Sequence, residues 1–343
     1  MFKKITIPLA VIIAITIFGI YASKTKTNRT VYAGVVKGHI ALLDPETGSV
    51  QDSFPELSVN RILDYFDRES FLVAVSKKPS EYFNPGGDVY DIYKLNLKTR
   101  EKELLLGSAS QAYLSPTREQ LAYVQNRTLK ILDLKSGESE EVAREIIFYP
   151  GFPKPWSPDG QKLAYTLEIP ANKARNYVYD LTTKNYLALI PEDEEAHPYV
   201  LSWDQQKKII AVYNPESEKD TVKIVKIGLD GTKEVVLELP TTGAPTIEDI
   251  SNNLLLIRYS ETNSLTLFDL SKKDGDPKKV LTINDPNYRA FANILPNGNV
   301  FFKEIRLEET EGGLKEHRVR TGLWRKSDEQ LITLPEDVES IGG

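Results

Sequence analysis

The chain contains no cysteine, one methionine and three histidines among 343 residues. Without cysteine it has no disulfide framework, no thiol nucleophile, no thiolate metal site and no lipid-modified N-terminal cysteine. His39, His197 and His317 are too few and too scattered to mark a metal or acid–base centre, so no metal, cofactor or catalytic residue is assigned from sequence. No Gly-x-Ser-x-Gly elbow occurs, which removes the sequence signature of an α/β-hydrolase nucleophile. Positive charge is not in excess: 43 Lys and Arg face 49 Asp and Glu, a net charge of −6, which argues against a nucleic-acid binder. Long amphipathic helical patterns are also missing. What is present is 41% hydrophobic residues with 20 Gly and 20 Pro, enough to bury a sizeable core and to punctuate it with turns.

One long apolar run stands apart. Lys3 and Lys4 precede the uncharged stretch Ile5 to Ala22, interrupted only by Pro8, and a polar run from Ser23 to Arg29 follows. This is the pattern of a membrane-targeting segment, just long enough to cross a bilayer as one helix. Residues 1–29 therefore read as a signal anchor with a polar linker, and residues 30–343 as a domain held outside the cytoplasm. The alternative is a signal peptide cut after Ala22, releasing a secreted protein; Ile20 fits poorly where small residues are preferred. Lys24, Lys26 and Arg29 weaken the orientation bias that Lys3 and Lys4 set.

Beyond that segment the chain repeats. A short apolar run, a polar residue and a turn recur around Asp44, Asn96, Asp133, Asp180, Gly228, Asp269 and Arg325. Their mean spacing is about 47 residues, the size of a four-stranded propeller blade. Upstream of the last six lies a second segment, a turn followed by a strand, at Asp67, Thr117, Asp159, Asp204, Asn252 and Asn297. Runs such as Phe71 to Val75 and Ile209 to Tyr213 are apolar on both faces, as expected for strands covered on both sides. Ala74, Ala122, Ala164 and Ala211 read as positions where a small side chain admits the neighbouring blade. Stretches such as KELLLG and KEVVLEL follow as outer strands.

The first unit supplies strands b, c and d without an a strand, and the C-terminal PEDVESIGG resembles the segment leading into the sixth unit. Pairing the chain end with the first blade would remove the free sheet edges. The expected fold is thus all-β: a seven-bladed β-propeller preceded by one N-terminal hydrophobic helix. Six blades with an irregular N-terminal strand layer is the alternative.

Trp156-Ser157-Pro158-Asp159-Gly160-Gln161-Lys162-Leu163-Ala164-Tyr165 resembles the blade signature of the TolB-type, WD-like β-propeller repeats. Leu114-Ser115-Pro116 with Leu121-Ala122-Tyr123, and Ser202-Trp203-Asp204 with Ile210-Ala211-Val212, are weaker copies. The resemblance covers residues 31–343 and implies the propeller; it does not choose among the binding modules, lyases and peptidase gating domains built on that scaffold. TolB itself carries an α/β domain before its propeller, for which this chain has no room, and peptidase relatives carry a hydrolase domain after it. Both departures favour a free-standing, monomeric ring on a tether.

Function is expected on the loops joining strands b to c and d to a. The longest is Ser76 to Asp88, with Tyr82 and Phe83; next are Ile147 to Pro155, with Phe148, Tyr149 and Phe152, and the acidic Arg306 to Glu316. Aromatic loops suit contact with a protein, peptide or envelope glycan. The candidate binding residues are Tyr82, Phe83, Phe148, Tyr149, Phe152, Tyr199 and Arg289. Aromatics that merely cap adjacent blades are the competing explanation. Trp156 and Trp203 occupy equivalent places and read as blade packing. Asp274-Gly275-Asp276 reads as a turn and Glu192 to Glu195 as a solvated loop. The leading function is a non-catalytic binding propeller; the alternative is a lyase or hydrolase acting on an extracellular polymer, with His197, Tyr199, Arg258 or Arg289 near the channel.

Overall fold

The computed structural model describes residues 32–341 apart from 45–48, 68, 77–88, 148–153, 170–172, 190–198, 214–220, 243–244, 252, 260, 263, 273–275, 283–287, 296–297, 311–312 and 335–337. The apolar segment 5–22, and with it the membrane reading, lies outside the described residues.

Among the described residues every regular element is a strand, and the strands form seven four-stranded antiparallel sheets. Blade 1 holds β1 (Tyr32–Val36), β2 (His39–Leu43) and β3 (Val50–Ser58). Blade 2 holds β4 (Arg61–Tyr65), β5 (Ser70–Ser76), β6 (Tyr90–Asn96) and β7 (Glu101–Ala109). Blade 3 follows with β8 (Gln111–Leu114), β9 (Gln120–Gln125), β10 (Thr128–Asp133) and β11 (Ser139–Ala143). Blade 4 comprises β12 (Ile146–Ile147), β13 (Lys162–Ile169), β14 (Lys173–Asp180) and β15 (Asn185–Ala188). In blade 5 are β16 (Tyr199–Trp203), β17 (Ile209–Tyr213), β18 (Thr221–Ile227) and β19 (Lys233–Pro240). Blade 6 has β20 (Pro245–Ser251), β21 (Leu254–Tyr259), β22 (Ser264–Asp269) and β23 (Lys278–Thr282). Blade 7 has β24 (Tyr288–Ile294), β25 (Val300–Thr310), β26 (Gly313–Arg325) and β27 (Gln330–Thr333). The missing inner strand of blade 1 is β28 (Val338–Ile341), whose Ser340 pairs with Val35 and Ile341 with Gly34. The seven-bladed reading and closure by the chain's two ends both hold.

The repeat has a local cause. Asp133 Oδ1 accepts the backbone N–H groups of Lys135 and Ser136, and Asp180 Oδ1 accepts those of Thr182 and Thr183. Asn96 and Asp269 do the same at their own turns. Asn96, Asp133, Asp180 and Asp269 thus cap the turn from strand c to strand d with a side-chain oxygen. At the a-to-b turns, Ser157 Oγ accepts the N–H of Lys162 and Ser115 Oγ that of Gln120. The fourth residue of these turns is left-handed: Gly160, where the sequence supplies glycine, but also Arg118 and Lys207. Left-handed backbone favours glycine because a Cβ crowds the chain there.

The core is distributed between blades. Seven clusters of buried side chains each join two adjacent blades. On β5 the alternation is visible: Phe71 and Val73 pack toward blade 1, Leu72 and Ala74 toward blade 3. Period-two geometry sends neighbouring side chains to opposite faces, and both faces are covered, so the strand is apolar throughout. Ala74, Ala122, Ala164 and Ala211 are buried in these clusters, as their size led us to expect.

Two loop readings are corrected. Arg306 to Glu316 is no loop: β25 and β26 extend through it, Arg306 pairing with His317 and Thr310 with Gly313. Ile147 to Pro155 does not connect strand d to strand a. Ile146 and Ile147 already pair with β13, as does Trp156 further on, so this segment is an excursion within the innermost strand of blade 4.

Deleting residues 338–343 should leave the inner edge of β1 unpaired. We expect the calorimetric midpoint of the full chain to fall by at least about 4 °C and self-association through the freed edge to appear in size-exclusion chromatography. An unchanged midpoint would show that closure contributes nothing.

Candidate functional site

The innermost strands line the axis of the ring, and four carry the same irregularity; in β28 it falls between Val338 and Ser340. Register shifts between Ile62 and Asp64 in β4, between Val200 and Ser202 in β16, and between Ile247 and Asp249 in β20. A bulge accommodates one extra residue and re-aims the side chains beside it. Asp64, Ser202 and Asp249 thereby occupy the same place in their blades, two residues before the a-to-b turn. Tyr113 and Pro155 hold that place in blades 3 and 4. All five line one cavity of about 470 Å³, together with Leu63, Leu114, Pro116, Arg118, Lys154, Trp156, Pro158, Trp203, Gln205 and Ser251. It is the channel mouth on the a-to-b turn side, and of the segments singled out in the sequence Ile147 to Pro155 reaches it, through Lys154 and Pro155. A larger groove of about 690 Å³ lies at the rim between β19 and blade 6, lined by Val235, Leu237, Leu239, Tyr259, Phe268 and Pro277 among others. Glu238 is the charged residue in that lining, so the chemistry converges on the channel mouth rather than the rim.

The mouth is stitched from blade to blade. Trp156 Nε1 donates to the carbonyl of Tyr113 in blade 3 at 2.9 Å, and Trp203 Nε1 donates to the carbonyl of Pro155 in blade 4 at 2.8 Å. Both indoles are buried, which bears out their reading as packing, yet each also contributes to the cavity wall. Arg118 Nη1 lies 2.9 Å from Asp64 Oδ1, joining blade 3 to blade 2. Lys207 Nζ lies 2.6 Å from Asp159 Oδ2, joining blade 5 to blade 4. These two cations are the residues held left-handed in their turns, so backbone strain is spent on placing them. Asp249 accepts the N–H of Ile250 at 2.7 Å and that of Ile294 in blade 7 at 2.6 Å. Beside it, buried Glu248 accepts from Arg258 Nε at 2.6 Å.

Burial dominates the electrostatics of these acids. It pushes the carboxyls of Asp64, Glu248 and Asp249 above the ordinary carboxylate range, against the opposing pull of Arg118, Arg258 and Lys154 respectively. Asp159 goes the other way: hydrogen bonds from Lys207 and Ser157 hold it well below that range.

Of the residues singled out in sequence, Tyr82, Phe83, Phe148, Tyr149 and Phe152 lie outside the described residues, as do His197, Glu192 to Glu195, Asp274 and Gly275. Tyr199 and Arg289 are placed by their backbone alone, on β16 opposite Val212 and on β24 opposite Ile305. Arg258 belongs to the Glu248 pair, His39 opens β2 in blade 1 and His317 lies on β26. The residues of the mouth, Asp64, Arg118, Lys154, Ser202 and Asp249, were not singled out. For Asp64, Ser202 and Asp249 the signal was positional, an acid or hydroxyl two residues before an a-to-b turn; Arg118 and Lys154 carried none.

No family model matches the chain and no curated protein is significantly similar to it in sequence. Solved structures share the fold. Dipeptidyl peptidase 4 of Porphyromonas gingivalis superposes with a TM-score of 0.55 at 10% identity, over 91% of this chain and 60% of its own. TolB from Acinetobacter baumannii gives 0.50 at 14% identity over 89% and 77%. Oligogalacturonate lyase in complex with manganese gives 0.52 at 12% identity over 88% and 82%. This chain therefore spans about three fifths of the peptidase's length, and at these identities the likeness is one of fold.

Two outcomes follow from the geometry. Trp203→Phe removes the donor to Pro155 and part of the ring volume, and should cost about 1–3 kcal/mol in urea unfolding; a loss under about 0.5 kcal/mol would contradict the stitching role. The raised carboxyls hold their protons more tightly folded than unfolded, so their contribution to stability falls as pH rises from the ordinary carboxyl pKa through the raised values. Asp249→Asn removes one such group. Between pH 4 and 7.5 the stability of the variant should decline less steeply than that of the parent chain, and parallel profiles would refute the assignment.

Proposed function

We propose that the chain is a non-catalytic binding propeller, tethered outside the cytoplasm by residues 5–22, which holds a segment of a protein, peptide or envelope glycan at its channel. The observation that carries this reading is the state of the mouth's acids. Asp64 is engaged by Arg118 and by the N–H of Tyr65, and Asp249 by two backbone N–H groups. A general acid or base must exchange its proton with a substrate; these carboxylates are already engaged by partners from the protein, through which they fix blade geometry and shape the cavity. A cavity of about 470 Å³ with apolar walls and a few placed polar groups suits a small ligand or the end of a chain. The same fold carries a lyase and a peptidase, so fold does not decide between binding and catalysis. The apolar run behind Lys3 and Lys4 supports the tether. Tyr82, Phe83, Phe148, Tyr149 and Phe152 extend the proposal to a larger partner, since aromatic-rich segments suit such contacts.

A photo-reactive amino acid placed at Gln205, at the mouth, and separately at Tyr82, on the loop side, tests this in membranes carrying the full chain. One defined adduct from position 205 is expected. An adduct from position 82 alone would move the binding site to the loops; none from either position, or depolymerisation of polysaccharide or peptide by the purified chain, would overturn the reading.

A further inference from the structure

One charge at the mouth, that of Lys154, forms no ion pair within 4.0 Å among the described residues. Lys154 enters the cavity wall from blade 4, and its backbone is pinned by an N–H donated to the carbonyl of Leu201 in blade 5 at 3.0 Å. Asp64 and Asp249 lie on the walls formed by blades 2 and 6, near enough for Lys154 to influence both electrostatically. Neither forms an ion pair with it. Asp64 is held by Arg118, and Asp249 by the N–H groups of Ile250 and Ile294. Lys154 is exposed, on a backbone held in place, among apolar surfaces from Leu63, Leu114, Pro116, Trp156 and Trp203.

We infer that the mouth binds a peptide's free C-terminal carboxylate, with Lys154 as its counter-charge and the apolar walls taking the last side chain. The inference rests on the mouth being the binding site. Four formal charges border the cavity, but they are unequal: the Asp64 carboxylate is matched by Arg118, and that of Asp249 is buried and bonded to two backbone N–H groups. The charge presented to a ligand is that of Lys154. Arg118 adds to it, because the guanidinium has five donors and engages Asp64 from one side while staying partly exposed. Neutral polar side chains in the lining are Tyr113, Ser202, Gln205 and Ser251. Apolar surface beside the Lys154 ammonium fits a chain end with an apolar last residue better than a uronate polymer, which has no apolar side chain.

The chain reports on its own mouth, since two of its three tryptophans line it and the third, Trp324, is buried between blades 6 and 7. The full chain in detergent is titrated with N-acetyl-Gly-Gly-X tripeptides, X being each of the twenty residues, as free acids and as C-terminal amides, and separately with trigalacturonate. Tryptophan emission should respond to acids with apolar X, and the amides should bind about tenfold or more weakly. Lys154→Gln should weaken the acids to the level of the amides, and Lys154→Arg should largely restore them. Equal responses to acids and amides, unchanged in Lys154→Gln, would overturn the carboxylate assignment while leaving the mouth a binding site. A response to trigalacturonate alone would replace the peptide with an anionic glycan. Silence toward every probe would overturn the inference, whereas the adduct expected at position 205 tests the site itself.

Discussion

The pairing of β28 with β1 is the contact on which the rest of the molecule depends. Seven sheets in a row would end in an inner strand without a blade 1 partner and an outer strand with one face uncovered. Four residues at the chain's end remove both problems, because they complete blade 1 and bring its other face against blade 7. The cluster of Leu43, Leu295, Phe301, Leu323 and Leu334 exists only if the circle is complete. No cysteine is available to lock that junction, so hydrogen bonding and apolar burial hold it.

Around the axis, burial alone would not specify how far each blade is rotated against the next. Apolar faces tolerate sliding; hydrogen bonds with defined donors and acceptors do not. The indoles of Trp156 and Trp203, the guanidinium of Arg118, the ammonium of Lys207 and the carboxylate of Asp249 fix this angle at five places, each between consecutive blades. Arg118 and Lys207 occupy turn positions where glycine would relax the backbone. The chain accepts that strain, and the desolvation of three acids, to keep the mouth in one shape. Such exceptions to local preference are where function is expected.

The architecture was legible because its signals are local and repeated. Asp133 and Asp180 mark c-to-d turns by capping them, and Phe71 to Val75 marks a doubly covered strand by leaving no polar position. The hairpin through Arg306 to Glu316 was missed because both of its faces are charged, so no hydrophobic period announced strands; Gly312-Gly313 nevertheless carried the turn chemistry of a tight hairpin. The mouth was illegible for a different reason. It is assembled from five blades, its equivalent residues Asp64, Tyr113, Pro155, Ser202 and Asp249 recurring at about the blade period. The propeller motifs supply Leu114, Pro116, Trp156, Pro158, Ser202 and Trp203, but no single segment contains the site. In three of those blades a single-residue bulge decides which side chain faces the axis, and one residue of slip exchanges inward for outward. Composition does not register such a shift.

The division of the core into seven shared clusters bears on how the molecule comes apart. In a linear solenoid the terminal repeats have one neighbour each and fray first. Here no blade is terminal, and each holds half of two clusters, so the loss of any one uncovers apolar surface on both sides at once. The first opening event is therefore as costly in blade 4 as in blade 1 in the number of interfaces broken, and what remains after it is an open array with two raw faces. Such a ring should be intact or undone, with few stable states between, and a partner seated on its axis would touch most of the blades whose release begins that collapse.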